Sequence, residues 1–186
     1  MAPTKHTLIA LVADKPGVLS RVATLFRRRG FNIESIAVGH SEVPHQSRMT
    51  IVVDGSTTMV EQVRKQLAKI IEVVKISDIT DDQMVARELA LIKVKASSVT
   101  RSEIMQIVDV FRANIIDVAA DSLTVEVTGD EDKIDSLINL LSGFGVKELS
   151  RTGRIAMPRG STTPLQVIPE QSRAGNKKIV RGKITK

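Results

Sequence analysis

The chain has 186 residues, a formal charge of +6, and no cysteine, tryptophan or tyrosine. Without cysteine there is no disulfide framework, no thiolate chemistry and no Cys-based metal site. The length allows one domain or two small ones, with enough apolar content for packed cores. No run is long and apolar enough to span a membrane, and no signal-peptide pattern opens the chain, so a cytoplasmic location is expected. The charge is local: from Arg159 onward there are seven basic residues and one acid, Glu170, which is the entire excess. The balanced remainder offers no net positive field to a nucleic acid.

In chain order, His6 to Val12 is rich in strand formers. Val18, Val22, Leu25 and Phe26 then recur at helical spacing. Between them lies Asp14-Lys15-Pro16-Gly17, a strand-to-helix turn. Proline suits a first helical turn, and glycine lets backbone approach something small. Arg27, Arg28 and Arg29 suit the negative end of this helix, which Gly30 stops.

Asn32 to Val38 and Arg48 to Val53 read as strands. Thr58 with Glu61 forms a capping-box pattern for a helix with Val60, Val63, Leu67 and Ile70 inward. Val73 to Ser77 is a fourth strand, which completes the β-α-β-β-α-β order of a ferredoxin-like unit.

Residues 79–87, with Asp81-Asp82, read as a polar connector, and the order then repeats. Leu89 to Val94, Asn114 to Ala119, Leu123 to Val127 and Val146 to Leu149 are strands. Helices carry Ile104, Ile107, Val108 and Phe111, with a Thr100/Glu103 cap, and Ile134, Leu137, Ile138 and Leu141. Two halves that look like diverged copies result. Phe26-Arg27 leading to Asn32-Ile33 is echoed by Phe111-Arg112 leading to Asn114-Ile115. The second half has Ala96-Ser97-Ser98-Val99-Thr100 where the first has the Pro-Gly turn.

The expected class is therefore α+β, two tandem ferredoxin-like (βαββαβ) domains over residues 5–78 and 88–157. A basic tail over 158–186, without periodicity, is expected to be disordered.

No G-x-S-x-G elbow, P-loop, H-E-x-x-H or G-x-G-x-x-G occurs, so no catalytic residue is assigned. His40, His45 and Glu42 share one loop, where a metal site is conceivable but solvated side chains are the ordinary reading; no metal ligand is assigned. RNA-recognition domains share this strand order but stack bases on aromatics of the central strands. Thr7 to Val12 and Met49 to Val53 contain none.

The Pro-Gly turn is either a plain structural corner or a seat for a small anion at a helix N-terminus. Asn32 opens the next strand beside the first, and its amide could complete a small polar pocket with the turn. Helix amides plus a bifunctional amide match the two ends of a free amino acid.

The run Asp14-Lys15-Pro16-Gly17-Val18-Leu19-Ser20-Arg21-Val22, followed by Leu25-Phe26-Arg27-Arg28-Arg29-Gly30-Phe31-Asn32-Ile33-Glu34-Ser35-Ile36, resembles the ACT domain, an amino-acid-sensing module. With Ser47-Arg48-Met49-Thr50-Ile51, Arg87 to Val94 and Phe111 to Val118, the chain is similar to the regulatory small subunit of acetolactate synthase (acetohydroxyacid synthase). The similarity runs from about residue 5 to residue 160.

The resemblance implies a non-catalytic homodimer that activates a large subunit and confers feedback inhibition by valine, leucine or isoleucine. Thiamine diphosphate, Mg²⁺ and FAD would sit in the large subunit, and no cofactor in this chain. It further implies an effector site of Asp14, Lys15, Pro16, Gly17, Val18 and Leu19, with Asn32 and Ile33 supplied across the dimer interface. Some relatives have Asn in place of Asp14.

Overall fold

The computed structural model describes residues 5–160 and Leu165. The elements of the first half are β1 (Lys5–Ala13), α1 (Val18–Arg29), β2 (Ile33–His40), β3 (Gln46–Asp54), α2 (Thr57–Leu67) and β4 (Val73–Asp78). Those of the second are β5 (Met84–Lys95), α3 (Arg101–Val110), β6 (Asn114–Val118), β7 (Ser122–Gly129), α4 (Glu131–Ser142), β8 (Val146–Arg151) and β9 (Ile155–Pro158). They build two βαββαβ units with antiparallel sheets ordered β2-β3-β1-β4 and β6-β7-β5-β8. The tandem α+β plan expected from the periodicity is the one found.

Each unit packs two helices on one sheet face. In the first, Leu8, Ala10 and Val12 of β1 meet Val18, Val22 and Phe26 of α1, and Val60, Val63 and Leu67 of α2. In the second, Ile92 and Val94 meet Ile104, Val108, Ile134, Leu137 and Leu141. Each fully buried side chain of this kind contributes about 1.5–3 kcal/mol.

The structure departs from expectation at the ends of elements. Ser56, not Thr58, caps α2: its hydroxyl accepts from the Met59 amide at 3.4 Å. The Thr100 hydroxyl makes no cap bond inside α3. It accepts from the Ser97 amide at 3.0 Å, while the Ser97 hydroxyl accepts from the Thr100 amide at 3.2 Å. That box is reciprocal and lies one turn earlier than the Thr100/Glu103 pattern suggested.

The connector is also shorter than expected. Residues 84–87 are the start of β5, and they pair with β9, a strand the periodicity did not indicate. This two-stranded ribbon lies over the open face of the first sheet, where Ile9 and Leu11 pack with Ile79, Ala156 and Leu165. β1 is thereby buried on both faces. The tail expected over 158–186 starts later than that: Pro158 ends β9, and the Arg159 amide donates to the Gln83 carbonyl at 2.7 Å. The stretch beyond Gly160, expected to be disordered, falls, Leu165 apart, outside the described residues.

Candidate functional site

The Pro-Gly turn is held at both sides before it bends. The Ala13 amide donates to the Glu72 carbonyl at 2.8 Å and the Asp14 amide to the His45 carbonyl at 2.9 Å. An ion pair between Arg21 and Glu72 ties α1 to the approach of β4 at the same end. Gly17 then takes φ 87°, ψ −10° as the N-cap of α1, with no side chain capping the helix. A Cβ at Gly17 would meet no atom within 4 Å, so space is not the constraint there. The left-handed backbone is, and it favours glycine.

The Val18 amide points to the Lys15 carbonyl at a long 3.5 Å, and the first intrahelical bond runs from the Arg21 amide to the Gly17 carbonyl. Between them, the Leu19 and Ser20 amides find no acceptor among the described residues. Two such N–H groups at the positive end of a helix are suited to an anion. Val18 is buried beneath it, Leu19 is 48 % exposed at its mouth, and Lys15 and Pro16 stand in solvent. The exposed Asp14 carboxylate lies 3.4 Å from His40 Nδ1, at the end of β2.

Asn32 and Ile33 are not beside this turn within one chain. β3 lies between β1 and β2, and Ile33 and His6 both face Val53 at the far end of the sheet. From Ile33 to His40 the strand spans about 23 Å at ~3.3 Å per residue. The same-chain polar pocket expected from the sequence is excluded by this register. The loop histidines are also not gathered as ligands: among the described residues no three His, Asp or Glu side chains are placed to hold a metal ion. Asp81 and Asp82 are exposed in the β4–β5 turn, whose backbone closes through the Asp82 amide and the Ile79 carbonyl.

What reasoning from the sequence missed is a second polar cluster, where the two units meet. Lys5 bridges Glu34 at 3.1 Å and Glu131 at 2.6 Å. The Arg154 guanidinium donates to Glu131 at 2.5 Å and to the Thr7 hydroxyl at 3.2 Å, and the Arg154 amide to the Ser35 hydroxyl at 3.0 Å. Hydrogen bonding to Lys5 holds the Glu131 carboxyl below the usual carboxylate range, and Glu131 and Glu34 together raise Lys5. Nearby, Glu88 pairs bidentately with Arg151 and raises its already high pKa. One signal was present: Ile33-Glu34-Ser35-Ile36 breaks strand alternation, and a bulge follows from it.

Comparison with known proteins agrees with this architecture. Residues 8–75 match the family model for the acetohydroxyacid synthase small subunit-like ACT domain, and residues 87–160 match that for the small subunit of acetolactate synthase. The chain is 57% identical to a probable acetolactate synthase small subunit of Archaeoglobus fulgidus over 157 residues, 84% of this chain and 98% of that protein. Against the acetolactate synthase small subunit of Mycobacterium bovis it is 53% identical over 160 residues, 86% and 95% of the two chains. The crystal structure of the acetolactate synthase small subunit from Thermotoga maritima superposes with a TM-score of 0.79 at 44% identity, covering 86% of this chain and 99% of that one. With identity above half over nearly the full length of such relatives, and a matching fold, the chain belongs to the acetolactate synthase small-subunit family and carries that family's ACT domain.

Proposed function

We propose that this chain is a regulatory subunit without catalytic residues of its own. It activates a thiamine-diphosphate-dependent large subunit, which also holds Mg²⁺ and FAD, and it confers inhibition by valine, or its branched-chain kin leucine and isoleucine. The effector sits where two ACT domains meet in a homodimer. The observation that carries this reading is the Gly17 turn next to the end of β2, with Leu19 and Ser20 amides that have no partner among the described residues.

β2 is an edge strand, and edges invite pairing. If two copies pair β2 with β2 antiparallel about a two-fold axis, the start of one strand falls beside the end of the other. Asn32 and Ile33 of one copy then arrive at His40 of the other, and so at Asp14 and the turn. The register that separates these residues within a chain unites them between chains. An apolar groove of about 330 Å³, lined by Val38, Ile155 and Met157 among others, continues from this edge and suits burial in the same seam.

In that seat the carboxylate accepts from the amides at the start of α1, and the ammonium sits between Asp14 and the Asn32 amide. The side chain lies against Val18, Leu19 and Ile33. Valine regulates only if it binds one arrangement of the dimer or holoenzyme better than another, and such coupling is typically about 1–3 kcal/mol. RNA binding through the first sheet is disfavoured further, because the ribbon covers the face that would display bases.

Gly17→Asp puts a carboxylate and a strained backbone into the seat, and Asn32→Ala removes its second wall. Calorimetry with valine is expected to show no binding heat for Gly17→Asp and at least tenfold weaker binding for Asn32→Ala. Acetolactate formation with the large subunit should lose its valine inhibition in step. Valine binding and inhibition like wild type in both variants would sink this placement.

A further inference from the structure

The N-terminal stretch of β2 is where the proposed effector contacts and the second unit come closest, and a bulge governs it. Ile33 pairs with Val53 and Ser35 with the next residue, Val52, so Glu34 is the extra residue of the strand. In a regular strand Ile33 and Ser35 would share a face. The bulge breaks that rule: Ile33 and Ile36 join the helix-side core, while Ser35 turns to the open face with Val52.

Both re-aimed residues are then tied to the second half of the chain. Ser35 accepts the Arg154 amide, and Glu34 reaches Glu131 through Lys5. The approach at Ser35 is close. Gly153 takes φ 78° there, and a Cβ on it would stand 2.9 Å from the Ser35 hydroxyl. Arg154 completes the joint by spanning Thr7 of β1 and Glu131 in the first turn of α4.

We propose that this joint, Ser35 on Gly153-Arg154 with Glu34-Lys5-Glu131 beside it, is the route by which effector occupancy reaches the second unit. The inference rests on the effector reading above. An amino acid gripped by Asn32 and Ile33 acts on the residues directly before the bulge. A bulge has an extra residue to shift, so a small displacement at Ile33 re-aims Glu34 and Ser35 together. The Arg154 amide holds Ser35 against the Gly153 corner, and the ion pairs carry the movement to α4. Ser35, Gly153 and Glu131 are thus positioning residues that touch no effector.

The test uses the full chain and its large subunit. Three variants are compared with wild type: Ser35→Ala deletes the acceptor, Gly153→Ala forces the corner off Ser35, and Glu131→Gln removes the charge shared by Lys5 and Arg154. Valine affinity is measured by calorimetry with and without the large subunit. By linkage, the factor by which the large subunit changes valine affinity equals the factor by which valine changes affinity for the large subunit, typically about fivefold or more.

Wild type is expected to show that difference. The variants should bind valine as tightly as wild type when alone, keep less than a third of the difference, and show correspondingly incomplete inhibition. Ser35→Thr, which retains the hydroxyl, should restore it. Variants that bind valine normally and keep the full difference would overturn the joint and leave the effector site standing. A wild-type chain that binds none of valine, leucine or isoleucine would overturn the effector reading and the joint with it.

Discussion

The entrances to α1 and α3 occupy the same place in two copies of one plan, yet they differ in what stands around them. At α1 the cap is Gly17 with no side-chain bond, and the Leu19 and Ser20 amides have no partner among the described residues. At α3 the Ser97 and Thr100 hydroxyls and amides satisfy one another across the turn. Helix amides must bond something, whether water, side chain or ligand. The Ser102 and Glu103 amides of α3 also lack a partner among the described residues. The Glu103 carboxylate in that first turn disfavours an anion, however, whereas the first turn of α1 carries no acid. A repeated fold therefore does not imply a repeated site. Chemistry resides in the few residues where the copies differ.

The largest effect separates the cores beneath the two entrances. Phe26 and Val108 are equivalent: the Phe31 amide closes α1 on the Phe26 carbonyl, as the Ala113 amide closes α3 on that of Val108. Both side chains are 1% exposed. Phe26→Ala is expected to cost about 3–5 kcal/mol. Val108→Ala, losing far less volume, should cost about 1.5–3 kcal/mol. Denaturant midpoints measured on the full chain check this. Equal losses would mean that the first unit lacks the large anchor assigned to it.

A smaller effect addresses the entrances themselves. The double variant Ser97→Ala/Thr100→Ala removes both hydrogen bonds of the reciprocal box, each worth about 0.5–1.5 kcal/mol. Ser20→Ala at the first entrance removes a hydroxyl that caps nothing, and the effect should stay within about 0.5 kcal/mol. Thermal melts of both variants test the contrast. A Ser20→Ala variant as unstable as the double variant would show that the Ser20 hydroxyl holds the α1 entrance.

The sequence carried most of the element order, because alternation and helical spacing are local signals. Val18, Val22 and Phe26 announced α1, and Gly30 announced its end. Pairing between distant segments was less legible. Met84 to Arg87 looks like a polar connector alone, and Ile155 to Pro158 is short. They become strands only by pairing with each other over β1. A sign of this was nonetheless present. Leu8 to Val12 is apolar without alternation, and a strand so composed is buried on both faces. A four-stranded sheet with helices on one side cannot supply the second cover, so something else had to.

Asn32 illustrates the other limit. Adjacency in sequence order suggested a pocket with the turn, whereas the antiparallel order β2-β3-β1 puts the two at opposite ends. The apparent echo of Phe26-Arg27 in Phe111-Arg112 misled in a similar way. The chain-closing bonds align Phe26 with Val108 instead.

That alignment leads to the smallest predicted effect. It sets Gly30 against Arg112, the residues that end α1 and α3 in the left-handed region at φ 70° and 50°. Their amides bond back three residues alike, to the carbonyls of Arg27 and Asp109. The first copy meets this geometry with glycine, and the second holds a side-chain residue in it, at a strain of about 1–2 kcal/mol. Nothing lies within 4 Å of a Cβ added at Gly30, so Gly30→Ala tests backbone strain alone. It should destabilise by about 1 kcal/mol. Arg112→Gly relieves the strain but adds freedom to the unfolded chain, worth about 0.5–1 kcal/mol. A net gain of up to about 1 kcal/mol, or a melting point higher by about 2–4 °C, is expected. If Arg112→Gly lowers the melting point instead, Arg112 is held by more than its backbone and the equivalence of the two helix ends fails.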